Sequence, residues 1–362
     1  MMENNFVVIM AGGVGSRFWP VSRTNYPKQF IDILGVGKTL IQQTFERFAK
    51  ICPKENILVV TNEIYRDIVL EQLPDIKPSN VLGEPIMRNT APCIAYASHK
   101  ISRKNPDATI VVAPSDHLIL EEENFCSIIK ESISFASKND CLITLGIVPS
   151  RPDTGYGYIQ RTDKSTESNF YKVKTFTEKP DLELAKTFLK SGDFLWNAGI
   201  FVWNAKAIKT AFEKYMPEMN DIFKEGRVLY NTPKETEFIK NAYTRCKNIS
   251  IDYGIMEKAD NVYVRPSSFG WSDLGTWASV YDVKTDKDYV GNVVIGSKNV
   301  IMYDSANCMV RVPKNKLVIL QGLDDYIVVE TGDVLMVCKK SEEQMVKQIV
   351  ADVKQNTGEK YI

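Results

Sequence analysis

The amino-acid sequence predicts an α/β protein in which a mostly parallel sheet is followed by a small β-rich C-terminal domain. Three observations predict it. Strand and helix patterns alternate regularly through the first half of the chain, as a parallel sheet with crossover helices requires. After Asp288 the pattern changes to short β-rich runs separated by Asn, Gly and Asp. The 362 residues, 44% of them hydrophobic, suffice for one large domain and one small one, divided as 1–288 and 289–362.

Phe6–Met10 is a short apolar run that stops at glycines, which reads as a buried strand. Leu40–Ile51 reads as a helix: Ile41, Phe45 and Phe48 share a face, and Thr39 with Gln42 makes a capping box. Ile57–Val60 is the next strand and Glu63–Leu73 a helix. Ala91–Ser102 is a helix that stops before Pro106. Thr109–Ala113 is a strand, Phe125–Ser137 a helix and Cys141–Ile147 a strand. The alternation implies a Rossmann-like sheet with helices on both faces, and ligands on such sheets sit beyond the carboxyl ends of the strands. The loops after Met10 and Ala113 are therefore where chemistry is expected. From about Gly155 to Val264 the pattern is less regular, with strands at Tyr171–Phe176 and Gly199–Trp203 and helices at Asp181–Lys190 and Ala205–Tyr215. The β-rich runs are Val293–Ile295, Val300–Tyr303, Met309–Val312, Leu317–Leu320, Tyr326–Glu330 and Val334–Cys338, with a closing helix near Glu342–Val353.

Composition excludes several classes. Lys plus Arg equals Asp plus Glu at 45 each, so the basic excess of a nucleic-acid binder is missing. No apolar run approaches the ~20 residues of a membrane span. Met1 to Met10 lacks the basic leader of a signal peptide. The seven cysteines are scattered without a C-x-x-C, as expected of free buried thiols in a reducing cytoplasm. His99 and His117 are the only histidines, too few for a His-rich metal site.

The loop Ala11-Gly12-Gly13-Val14-Gly15-Ser16-Arg17 follows the first strand. Small residues there let backbone N–H groups converge on phosphate oxygens. Two familiar phosphate loops do not fit. A dinucleotide fingerprint beginning at Gly13 needs glycine where the chain has Phe18, and a Walker loop ending at Gly37-Lys38-Thr39 needs glycine where it has Asp32. Glycines alone read equally well as a tight turn. Arg17, Arg23 and Lys28 in the same long loop shift the balance toward a polyphosphate.

The stretch Ala11 to Pro20, ending Phe18-Trp19-Pro20, followed by Pro27-Lys28-Gln29-Phe30, resembles the signature of the sugar-1-phosphate nucleotidylyltransferases. The Phe-Trp-Pro and Lys-Gln-Phe forms resemble the mannose-1-phosphate guanylyltransferase branch. The resemblance implies that Ala11, Gly12, Gly13, Gly15 and Ser16 wrap a triphosphate. It also implies that Arg17 neutralises departing pyrophosphate and that Lys28 steadies the α-phosphate.

Further motifs agree in family order. Gly83-Glu84-Pro85-Ile86-Met87-Arg88-Asn89-Thr90-Ala91-Pro92 reads locally as a polar loop ending in a helix cap. The resemblance makes it the guanine pocket, with Glu84, Asn89 and Thr90 as candidates to read the base edge. Asp116, directly after a strand, reads as an Asx turn or as a Mg²⁺ ligand. Together with Asp273 in Trp271-Ser272-Asp273-Leu274-Gly275, it resembles the family's metal-binding pair. For the sugar phosphate the resemblance implies Gly157 for close backbone approach, Glu178 and Asn197 for hydroxyls, and Lys179 for the phosphate. Asp252 takes a weaker, orienting role. Taken singly, these segments also read as a turn, a surface ion pair and a strand entry.

The resemblance covers nearly the whole chain and implies a β-helix-like small domain, which would mediate a homodimer. Some relatives carry a further isomerase domain. The chain ends at Ile362 without it, so a single activity is expected: GTP plus mannose 1-phosphate giving GDP-mannose and pyrophosphate, assisted by Mg²⁺. The attacking phosphate is already anionic, so no general base is required. The alternatives are a different nucleotide or hexose, or a non-catalytic relative. The presence of Arg17, Lys28, Asp116, Lys179 and Asp273 opposes the second. A nicotinamide-dependent dehydrogenase is opposed by Phe18.

Overall fold

The computed structural model describes residues 2–362. The strands along the chain are β1 (Asn5–Ala11), β2 (Ile57–Asn62), β3 (Val81–Glu84), β4 (Thr109–Pro114), β5 (Leu118–Ile119), β6 (Leu142–Ile147), β7 (Gly157–Ser165), β8 (Tyr171–Glu178), β9 (Phe194–Asn204), β10 (Val262–Ser267), β11 (Trp271–Ser272), β12 (Val293–Gly296), β13 (Val300–Tyr303), β14 (Met309–Val312), β15 (Val318–Gln321), β16 (Tyr326–Glu330) and β17 (Leu335–Lys339). The chain divides into two compact units. Of the described residues, the first holds 2–12, 44–115 and 119–271; the second holds 13–43, 116–118 and 272–362. The second unit thus takes two pieces from the N-terminal third.

The first unit is built on a nine-stranded sheet in the order β3-β2-β1-β4-β9-β6-β10-β8-β7. Strands β3, β2, β1 and β4 pair in parallel. β9 is antiparallel to β4, β6 and β7, while β6 and β10 pair in parallel. β8 is antiparallel to β10 and β7. All strands except β8 and β9 therefore point the same way, so the sheet is mostly parallel as expected.

Successive side chains of a strand point to opposite faces. Val7 and Ile9 of β1 point one way and Val8 the other, and all three are fully buried. Both faces of the sheet are thus dry at β1, which explains why that strand reads as a continuous apolar run instead of an alternation. On one face, Ala91, Ile94, Ala97 and Ile101 of helix 90–104 pack with Val8, Val60, Ile110 and Val112. Burying each such valine or isoleucine contributes roughly 1.5–3 kcal/mol. Helix 122–136 packs on β4, β6 and β9 and lies outside that cluster. Helices 217–225 and 235–245 and strands β7 and β10 add to the elements expected from sequence.

In the second unit, β12, β14 and β16 form one parallel ladder and β13 and β15 another, with β17 closing antiparallel on β16. The chain alternates between the two ladders as it advances, which is the path of a short β-helix. Cys308, Val310, Val312 and Val328 fill its interior. A second cluster joins Val293, Ile295, Met309 and Ile327 to Trp277 and to Phe18, Trp19, Ile31, Ile33 and Leu34. The apolar residues of the long N-terminal loop are therefore core residues of the β-rich unit. Phe18 meets Trp277 edge-to-face at 5.0 Å.

Seven cysteines are free, six of them buried, as the scattered spacing predicts. Among the described residues, no helix is long and apolar enough to cross a membrane.

Candidate active site

The second unit holds the signature loop from Gly13 onward. Gly15 adopts φ +71°, and a Cβ placed on it would lie 2.5 Å from Lys28 Cβ. Glycine is needed here on both counts. Residues Ser16–Phe18 form one 3₁₀ turn, with the Trp19 N–H donating to the Ser16 carbonyl at 3.1 Å. The Val14 carbonyl accepts from the Lys28 N–H at 3.2 Å and from Ser22 Oγ at 2.5 Å, folding the loop back on itself. Arg17 Nε donates to Gln344 Oε1 at 3.1 Å. Arg23, which counts with the basic residues of the loop in sequence, is instead tied bidentately to Asp333 at 2.7 and 2.6 Å. That pair anchors the loop to the β-rich unit.

Lys28 is only 3% exposed. Its ammonium donates to Asp116 Oδ2 at 2.9 Å and to the Asp273 carbonyl at 2.8 Å, and it lies 5.4 Å from the centre of the Phe18 ring. Burial pushes the Asp116 carboxyl up, but Lys28, with help from His117, overrides that and holds it below the ordinary aspartate range. Asp116 therefore stays ionised. Asp273 Oδ1 accepts from the Gly275 N–H at 3.0 Å, an Asx turn that directs the chain into helix 277–283. Leu274 takes φ +44° within that turn, a strained value for a non-glycine residue. Asp116 and Asp273, far apart in sequence, thus meet at one ammonium.

Among the described residues, no group of three or more His, Cys, Asp or Glu side chains gathers into a closed metal centre. Mg²⁺ does not need one: it takes one or two carboxylates and completes its shell with phosphate oxygens and water. Two aspartates, with hard oxygen donors, fit that ion and fit poorly with a thiolate- or imidazole-loving metal.

The first unit holds Ala11, Gly12 and the remaining motifs. Ala11 ends β1, and its carbonyl accepts from Thr61 Oγ1 at 2.8 Å. Gly12 follows, and a Cβ built on it would meet Glu84 Oε2 at 3.7 Å. Glu84, 5% exposed at the end of β3, accepts from the Tyr243 hydroxyl at 2.9 Å. Burial pushes its carboxyl up to about 7, against the opposing pull of that hydrogen bond. Asn89 takes φ 68° and caps helix 90–104, its Oδ1 accepting from the Thr90 N–H at 2.9 Å. Thr90 Oγ1 accepts from the Ile251 N–H at 2.9 Å. Asn89 and Thr90 therefore carry structural work, and Thr90 ties the Glu84–Thr90 segment to the segment holding Asp252.

Four of the sugar-site candidates come together. Gly157 faces Glu178 across the β7–β8 ladder, and a Cβ on Gly157 would fall 2.5 Å from Glu178 Oε2. The same Cβ would lie 3.6 Å from Asn197 Cβ. Asn197 Nδ2 donates to Asp252 Oδ1 at 2.8 Å, and its Oδ1 accepts from Thr144 Oγ1 and the Gly199 N–H, both at 3.1 Å. The amide is thus locked, with a defined orientation. Burial raises the Asp252 carboxyl, Asn197 opposes that, and nearby Glu178 adds to it. Lys179 is placed differently. Its side chain is 63% exposed and pairs with its own neighbour Glu178 at 2.6 Å, with the backbone at φ +46°. The surface ion pair read from sequence is present.

Sequence reasoning missed Tyr243, Gln344 and the aromatic group beside the sugar motifs. Tyr156 packs edge-on against Trp196 at 5.0 Å and Trp271 at 5.1 Å. These residues carry no local signature. Only their recurrence inside the quoted motifs, at Tyr156, Trp196 and Trp271, would have flagged them.

The chain matches the nucleotidyl transferase family over residues 6–288 and a mannose-phosphate isomerase/GMP-like β-helix domain over residues 298–353. It is 37% identical to mannose-1-phosphate guanylyltransferase 2 of Escherichia coli O157:H7, over 98% of this chain and 74% of that one. It is 38% identical to mannose-1-phosphate guanylyltransferase of Salmonella montevideo, over 98% of this chain and 75% of that one. Among solved structures, a Thermus thermophilus protein described as mannose-1-phosphate geranyltransferase superposes with a TM-score of 0.87 at 28% identity, covering 97% of this chain and 99% of that one.

Proposed function

The chain belongs to the nucleotidyl transferase family, in its mannose-1-phosphate guanylyltransferase branch, and from that premise we propose that it is an enzyme transferring GMP from GTP to α-D-mannose 1-phosphate. The products are GDP-mannose and pyrophosphate. The observation that carries the reading is the buried Lys28 ammonium held between Asp116 and the Asp273 carbonyl, beneath the loop turned at Gly15.

A phosphate oxygen of mannose 1-phosphate forms a new bond to the α-phosphorus. The bond from that phosphorus to the bridging β-oxygen breaks, and pyrophosphate leaves with the electron pair. No proton has to move, so no general base is required. The work of the chain is positioning and charge neutralisation. Gly12, Gly13, Gly15 and Ser16 hold the triphosphate through backbone N–H groups. Arg17 stabilises charge on the leaving group, and Lys28 holds the α-phosphate. Asp116 and Asp273 would hold Mg²⁺, which would supply positive charge to offset the repulsion of two anions.

Glu84, with Asn89 and Thr90 setting the loop, reads the guanine edge. Gly157, Glu178, Asn197 and Asp252 receive the sugar. Lys179 leaves its pair with Glu178 to meet the incoming phosphate. We assign the nucleotide chemistry to 1–288 and a supporting role to 289–362. The seven free cysteines support a cytoplasmic setting, and the β-rich segment is assigned to a homodimer contact.

The test is incubation with GTP and mannose 1-phosphate, with products identified by mass spectrometry. GDP-mannose should form when Mg²⁺ is supplied and stop on chelation. A chain that forms none with Mg²⁺ present contradicts the reading.

A further inference from the structure

The first unit contains a cavity of about 650 Å³ that the reaction above leaves unused. Arg103, Lys206, Lys209, Lys224 and Arg227 line it, against a single carboxylate, Asp107. The chain as a whole balances its charges, so this concentration of one sign is local. A solvated surface intersperses the two signs. Here only Lys209 has a carboxylate partner, Glu213 at a loose 3.8 Å. Among the described residues, no ion pair involves Arg103, Lys206, Lys224 or Arg227. Arg103 Nε instead donates to the main-chain oxygen of Arg227 at 3.2 Å, which draws two cationic residues together.

Two further details agree. Lys206 stands in the first turn of helix 205–215, which has no acidic residue there. The helix dipole disfavours a cation in that turn, so its placement needs compensation from elsewhere. His99, also on the lining, is stacked on Phe223 at 6.2 Å. Burial pushes its imidazole down to about 4, and Lys209 and Lys224 push the same way against a hydrogen bond with Asn220. The ring is neutral near neutral pH and adds a flat apolar face to a positive wall.

We propose that this groove binds a multiply charged phosphate anion, an oligophosphate or the phosphate chain of a nucleotide. None of the residues involved belongs to the motifs assigned to GMP transfer. Its volume lies within the ~300–1,000 Å³ of small-molecule sites. Five clustered lysines and arginines facing a single lining carboxylate are the complement of such an anion.

The probe is sodium tripolyphosphate, titrated calorimetrically into the parent chain and into the triple variant Lys206→Gln, Lys224→Gln, Arg227→Gln. All three positions are exposed, so the variant should keep the parental melting temperature. Should it not, the double variant Lys224→Gln, Arg227→Gln replaces it. The expected result is a binding event in the parent that weakens about tenfold or more in the variant and falls steeply with salt, while kcat and KM for GTP stay at parental values. Superimposable titrations of parent and variant would overturn the proposal. So would a groove-dependent affinity for a single-stranded oligonucleotide with none for tripolyphosphate, which would assign the groove to nucleic acid. Failure of the transferase reading appears separately, as absent GTP turnover in the parent, and leaves this titration unaffected.

Discussion

The ammonium of Lys28 donates to Asp116 Oδ2 at 2.9 Å while almost entirely out of solvent. A buried cation is costly unless paired, and Asp116 is the carboxylate that pairs with Lys28. In the proposed reaction both groups meet phosphate. Lys28→Ala and Asp116→Asn should each lower kcat by about a hundred- to a thousand-fold, the loss typical of a removed electrostatic stabiliser. Circular dichroism should show both variants folded. Near-parental turnover in either, measured as pyrophosphate release, would remove that residue from the mechanism.

Two glycines of the same loop should behave differently. Gly15 combines a left-handed φ with a 2.5 Å approach to Lys28 Cβ, whereas a Cβ on Gly13 meets nothing within 4 Å among the described residues. Gly15→Ala should cost about 1–3 kcal/mol of stability. Gly13→Ala should change stability by no more than about 0.5 kcal/mol, yet raise the KM for GTP if its backbone approaches phosphate. Denaturant melts and Michaelis curves on both variants separate the two roles. Equal stability of the two would contradict the local geometry.

Glu84 gives a pH signature. Burial raises its carboxyl to about 7 in the folded chain, whereas the unfolded value is about 4.3. Between those values the folded chain keeps a proton that the unfolded chain releases, so the group's contribution to stability falls as pH rises through the window. The cost is fully present above pH 7 and absent below about pH 4. Glu84→Gln keeps an oxygen to accept from Tyr243 and never ionises. It should be more stable than the parent by on the order of 3 kcal/mol near pH 8, with the gap closing toward pH 4. A gap that is the same at both ends of the range would show that Glu84 is not held protonated by burial. If Glu84 also reads guanine, the same variant loses activity with GTP.

How much of this was legible in sequence differs by element. β1, β2 and β4 are apolar runs buried on both faces, and such runs announce themselves. The position of β9 between β4 and β6 does not, because its order is set by packing across the whole sheet. β7 is hard to see because its second half is polar and exposed. Helix 217–225 buries little beyond Met219, Ile222 and Phe223, too short a stripe to stand out. Asp116 and Asp273 were recognised by family likeness, but their meeting at Lys28 depends on three chain segments entering one unit, and no local pattern encodes that. The ties of Arg17 to Gln344 and of Arg23 to Asp333 were hidden for the same reason.

Gly157 tests the sugar side. Its missing side chain is the space occupied by Glu178 Oε2. Gly157→Ala should displace that carboxylate and raise the KM for mannose 1-phosphate about ten- to a hundred-fold, with the KM for GTP unchanged. A matching rise in both constants would mean the substitution acts through the fold and not through the sugar residues.

Pyrophosphate release by the purified chain, measured across a panel of nucleoside triphosphates and hexose 1-phosphates, decides the substrate assignment without relying on any variant. The highest kcat/KM is expected for GTP with mannose 1-phosphate, and no release when either is omitted. A higher kcat/KM for UTP or dTTP with glucose 1-phosphate, or no release with any pair, would refute GMP transfer to mannose 1-phosphate as the activity of this chain.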